Sequence, residues 1–240
     1  MEPAKKKINF NDSGYYFIGL YALVLLGFWP SYFSRFFNGT ADFAFYFHFH
    51  AVLLTLWIFL LIIQPILIRK KKLALHRLLG KLSYILMPLL FLSVILLAHS
   101  RIPSHILVIN GEKNYGLHLL IPFKDLLILG ITYIIAIRYR HNIHIHARAM
   151  VATGIVFIEP TLIRLIKHVS GSPLSLLFTI AIVYSLLIAL IINERHQKKG
   201  RWVFPLVLGL YLIVHSLILF QIQIGPWETF ARWFAALHLT

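Results

Sequence analysis

Cysteine is absent from the 240-residue chain. That excludes disulfides, thiolate zinc sites, cysteine-ligated iron–sulfur clusters and covalent c-type haem attachment, and leaves histidine and carboxylate as metal ligands. Acidic residues are scarce, with 8 Asp and Glu against 23 Lys and Arg. Charge of either sign occupies only 13% of positions while 59% are hydrophobic. A water-soluble domain could not hide so much apolar surface, so the bilayer has to solvate most of it. Linker composition and internal repeats are also missing, and residues 1–240 read as a single transmembrane domain.

What is present is a succession of apolar runs. A membrane-spanning helix needs about 20 such residues, and seven segments qualify: Tyr15 to Phe33, Ala44 to Ile68, Leu79 to Ala98, His118 to Ile137, Ala147 to Ile166, Pro173 to Ile192 and Val203 to Ile222. The fifth is interrupted by Glu159, Pro160 and Arg164. The expected fold is an all-α, polytopic transmembrane bundle. Lys5–Lys7 ahead of an apolar run resemble a signal peptide. No small-residue cleavage site follows, so the run is expected to stay as the first helix.

The formal net charge of +15 would point to nucleic acid in a soluble protein, but here it follows topology. With the N-terminus inside, the stretches 5–7, 69–81, 138–148 and 195–201 fall on one side and hold most of the Lys and Arg. The opposite side has only Arg35, Arg101, Lys113, Arg164, Lys167 and Arg232. This asymmetry predicts an N-in, C-out protein of the cytoplasmic membrane, with the lipid bilayer and not nucleic acid as its partner. After the last span, residues 227–238, with Trp227 and Trp233, read as a short interfacial helix.

Histidines recur at the ends of the spans. On the second, His50, Leu54, Trp57, Leu61 and Gln64 form one helical stripe, and His48 points about 200° away from His50. On the third, His76, Gly80, Ser83 and Met87 share a face. On the fourth, His118, Asp125 and Thr132 do so, with Lys124 expected to point elsewhere. On the fifth, His146, Met150, Thr153, Phe157 and Arg164 line up, and Glu159 is turned away from them. A histidine at the edge of hydrocarbon needs a partner, water or a metal.

Two facing imidazoles can clamp a b-type haem. His50 with His118 would hold an outer haem, and His76 with His146 or His144 an inner one. Arg101, Lys113, Lys72, Arg77 or Arg148 would meet the propionates. Ligands that alternate between spans two and four, then three and five, resemble the cytochrome b561 superfamily. That resemblance implies transmembrane electron transfer from a quinol or other small donor. A seventh span exceeds that superfamily's six-helix pattern. Separately, His48-Phe49-His50, Trp57, Gln64, His76-Arg77-Leu78-Leu79-Gly80 and His146-Ala147-Arg148-Ala149-Met150 resemble an uncharacterised family of bacterial multi-pass membrane proteins, over roughly residues 44–165.

Two alternatives stand beside the di-haem expectation. His48, His50, His99, His118, His215 and Glu159 form a candidate set for zinc, iron or copper in a membrane hydrolase or oxidase. In a transporter or assembly factor without catalysis, Lys124, Asp125, Glu159 and Arg164 would line a polar path, with Pro122 and Glu159-Pro160 breaking the helices.

Overall fold

The computed structural model describes residues 10–40, 42–105, 107–109 and 112–240; the basic stretch Lys5–Lys7 lies outside them. The fold is helical. α1 (Ser13–Phe28) runs through a wide turn at Trp29–Phe33 into α2 (Ser34–Phe37). Then come α3 (Phe45–Arg69), α4 (Leu73–His105), α5 (Tyr115–Arg138), α6 (Ile143–Ile155), α7 (Ile158–Ser170), α8 (Ser175–Glu194), α9 (Val203–Leu219) and α10 (Gly225–Ala235). Among the described residues, six helical stretches are long and apolar enough to cross a membrane, with α1 through α2 counted as one and α6 with α7 as another. The chain is thus built as a multi-pass membrane protein. The segment expected as a last span, α9, is apolar but only 17 residues long. It ends before Ile222, because Gln221 takes a left-handed φ of 51° and turns the chain.

Each helix break has a local cause. Proline lacks an N–H and its ring crowds the carbonyl four residues back. At Pro30 the ladder widens, so that Ser34 N–H reaches the Trp29 carbonyl. At Pro160 the crowded carbonyl belongs to Val156, and the chain breaks at Val156–Phe157 before α7 begins. The interruption expected around Glu159-Pro160 therefore falls one turn earlier. Hydrogen-bond caps mark other ends: Asn114 accepts from Leu117 N–H at 2.9 Å and Asn142 from His144 N–H at 3.2 Å.

The surface is as apolar as lipid requires, with Phe37 at 70% exposure and Ile134 at 67%. The core lies along the predicted stripe of α3, where Leu54, Trp57, Leu61 and Gln64 are all buried, facing α4, α1 and α6. Two glycines let helices touch backbone to backbone. A Cβ on Gly14 would lie 2.7 Å from the Ile62 carbonyl oxygen, and one on Gly27 would lie 2.7 Å from that of Thr161.

The connection after α4 adds a short antiparallel ribbon, Leu107–Ile109 with Glu112–Asn114, to the helical bundle. α10 does not lie free in the interface. Its Ala231 and Phe234 pack with Ala98, Ile102 and Leu119, and Trp227 Nε1 donates to the Gly116 carbonyl at 2.9 Å. It closes one end of the bundle. The other end carries the basic turns.

Candidate functional site: a buried ion cluster

Four helices meet in a cluster of charged side chains inside the bundle. Lys124 of α5 bonds to Glu159 of α7 at 2.9 Å and to its neighbour Asp125 at 2.6 Å. The second oxygen of Glu159 faces His215 Nε2 of α9 at 3.1 Å. His215 Nδ1 in turn meets the Tyr184 hydroxyl of α8 at 3.0 Å. The side chains of Lys124, Glu159 and His215 are exposed by 2% or less, whereas Asp125 keeps 22%. Charges so placed persist only when paired and hydrogen-bonded.

The hydrogen-bond directions follow from chemistry. The carboxylate of Glu159 only accepts, so His215 Nε2 carries the proton it donates. In the neutral ring Nδ1 then accepts from Tyr184 O–H. Tyr211 encloses the cluster: its ring lies 5.7 Å from Lys124 Nζ and 5.4 Å from the His215 ring. Its buried hydroxyl has no hydrogen-bond partner among the described residues.

Local sequence explains the placement. Pro160 starts a new helix inside the span, which puts Glu159 in the first turn of α7. Eleven residues then remain to Ser170, about 16 Å at 1.5 Å per residue. That is close to half of the roughly 30 Å hydrocarbon thickness. Free backbone N–H groups at a helix start favour a carboxylate there.

The face assignment of α5 needs correction. Lys124, expected to point elsewhere, is the buried member, and Asp125 sits at its margin. A lysine in the middle of a span was a visible signal, but its partner 35 positions on was beyond any helical periodicity. Tyr184 and Tyr211 had no sequence signal. Arg164 stays outside the hydrogen-bonded chain. It donates to the Pro160 carbonyl at 2.7 Å and stacks over Phe28 at 4.6 Å, within electrostatic range of Asp125 and His50.

The proposed haem ligands fall in two places. His50 Nδ1 lies 3.1 Å from Ser93 Oγ, whose own proton goes to the Leu90 carbonyl at 2.7 Å. His50 must therefore donate from Nδ1, which leaves Nε2 for another ligand. His118 is half-buried in the first turn of α5. Towards the basic end, His146 Nδ1 donates to the Ala136 carbonyl at 2.9 Å, again leaving Nε2. His76 lies close enough to His146 for their charges to interact. His76 Nδ1, both amide atoms of Gln64 and Trp57 Nε1 are buried without a hydrogen-bond partner among the described residues. Gly80 keeps the space above that amide open: a Cβ there would meet only Gln64 Nε2, at 3.8 Å. His144 is exposed.

The six residues of the metal set do not gather into one metal-holding group among the described residues. His48 Nδ1 bonds the Tyr32 hydroxyl at 2.8 Å, among the rings of Phe36 and Phe43. Both nitrogens of His99 are occupied, by Thr240 Oγ1 at 2.6 Å and the Leu237 carbonyl at 2.8 Å. His215 and Glu159 belong to the ion cluster, where the Lys124 ammonium already supplies the cation. Among the described residues, no three of His, Asp and Glu are disposed to hold a metal ion.

Of the propionate candidates, Arg148 is committed elsewhere: it is buried, donates from Nε to Glu194 at 2.6 Å and bonds the His144 carbonyl at 2.6 Å. Arg101 lies over the Phe47 ring at 5.4 Å, Lys72 and Arg77 are exposed, and the Lys113 side chain lies outside the described ones. Comparison of the chain with protein-family models, curated proteins and solved structures finds no match, so the resemblances above rest on their own residues.

Proposed function

We propose that this protein is a proton-coupled membrane carrier of the cytoplasmic membrane, with seven spans and the Glu159 cluster as its coupling group. One observation carries the reading: Tyr184, His215, Glu159, Lys124 and Asp125 form an unbroken hydrogen-bonded chain of protonatable groups across four helices. Ionisable residues inside a membrane mark ion and proton paths. Spans broken near half depth are also where secondary transporters place their substrate and coupling-ion sites. A proton arriving at Glu159 would weaken its pairing with Lys124 and bias α7 against α5. That is the kind of two-state change a transport cycle uses.

The test is a pH step applied to proteoliposomes on a solid-supported membrane. Wild-type protein should give a transient charge displacement, and Glu159→Gln should abolish it while keeping a cooperative melting transition. Currents of equal size in both proteins would overturn the proposal.

A second reading, haem b electron transfer, is favoured by the open Nε2 atoms of His50 and His146 and by the unpartnered atoms around His76 and Gln64. His76 and His146 would hold the inner group, whose chemistry would be one-electron transfer. A reduced-minus-oxidised absorption spectrum decides it. An α-band lost in His146→Ala supports the haem, and a featureless spectrum from protein made with ample haem removes it.

A further inference from the structure

We infer that the crevice between α4 and α5 at the basic end binds one anionic phospholipid. A cavity of about 440 Å³ opens there. Its lining carries Arg138, Arg140 and His141, all exposed, at the basic end of α5 and in the turn after it, and Tyr84, Tyr133, Ile134 and Ile137 farther along α4 and α5, with Tyr84 and Ile134 exposed as well. The lining thus turns from cationic to apolar over the distance that a lipid turns from phosphate to acyl chain. In the apolar part the Tyr133 hydroxyl is held by Ser83 Oγ at 3.0 Å.

Among the described residues no carboxylate pairs with the charge at that end of the cavity. Among the described residues the paired carboxylates are Asp12, Asp125, Glu159 and Glu194, and their partners are Arg69, Lys124, His215 and Arg148. None is Arg138, Arg140 or His141. Cations near the last turn of α5 suit its exposed carbonyls, but that does not account for a cavity walled by Tyr84 from the neighbouring helix. Basic pockets between spans on the cytoplasmic side are where anionic headgroups bind. Ile134, among the most exposed apolar side chains, would lie along the acyl chain.

The experiment is native mass spectrometry of delipidated protein in detergent, titrated with phosphatidylglycerol, phosphatidylcholine of the same chains, or glycerol 3-phosphate. One phosphatidylglycerol should bind in preference to phosphatidylcholine, and glycerol 3-phosphate should not compete, because it lacks the chains. In R138Q/R140Q, affinity should fall about thirtyfold, as expected for two cations at a membrane surface. K198Q/K199Q, which removes equal charge elsewhere at that end, should keep it. Equal binding of both lipids, equal loss in the two variants, or full competition by glycerol 3-phosphate would each overturn the site. Melting curves of both variants, unchanged from wild type, show that the fold is intact.

Discussion

At the scale of single residues, the cluster is a case of buried charges that depend on one another. Removing one partner strands the other in a medium that cannot solvate it. Lys124→Ala should therefore destabilise the protein by about 3–5 kcal/mol, read as a lower melting temperature in detergent. Lys124→Ala with Glu159→Gln should recover part of the loss, since the more buried carboxylate is then neutral and only Asp125, at the exposed margin of the cluster, is left without its lysine. Tyr184→Phe is different. It removes one hydrogen bond at the end of the chain, worth about 1 kcal/mol, so the fold should hold while the pH-step current falls. A current unchanged by Tyr184→Phe would place Tyr184 outside the relay. The histidines were legible in the sequence as polar groups at hydrocarbon edges. Their partners were not, because Ser93, Thr240 and the Ala136 carbonyl are ordinary groups chosen only by packing.

Elements are held together by close approach and broken by proline. The α1–α7 contact at Gly27 leaves no room for a side chain, so Gly27→Leu should cost about 1–3 kcal/mol by overpacking, visible as a lower melting temperature. Gly19→Leu, on the same helix with open space at its Cβ, should be near neutral and serves as the control. Pro160→Ala gives residue 160 an N–H for the Val156 carbonyl and relieves the ring clash. The expected result is a straighter α6–α7 segment with slower amide exchange around Val156 and a reduced pH-step current. Span positions were readable within a few residues because hydropathy alone marks them. The break at Val156–Phe157 lies one turn before the proline because the clash acts four residues back.

At the scale of the molecule, the arrangement of charge predicts topology. The absence of cysteine makes single-cysteine labelling clean. In intact cells Thr229→Cys, exposed on α10, should react with a membrane-impermeant maleimide, and Lys71→Cys, at the α3–α4 turn, should react only after permeabilisation. Labelling of both from the same side would mean that α9 does not cross, leaving six spans.

Composition and hydropathy by themselves determined that this chain lives in lipid, where its helices lie, and which ends are basic, since these depend only on local chemistry and a fixed 3.6-residue period. They also placed the buried stripe of α3 correctly. Which helices become neighbours is decided by packing between segments far apart in the chain. Only the tertiary structure turned Lys124 inward to meet Glu159, spread the outer histidines over separate environments, and carried α10 onto the end of the bundle. The physical reason is that a charge in hydrocarbon takes the partner that three-dimensional packing brings to it, and sequence spacing is silent about contacts between helices.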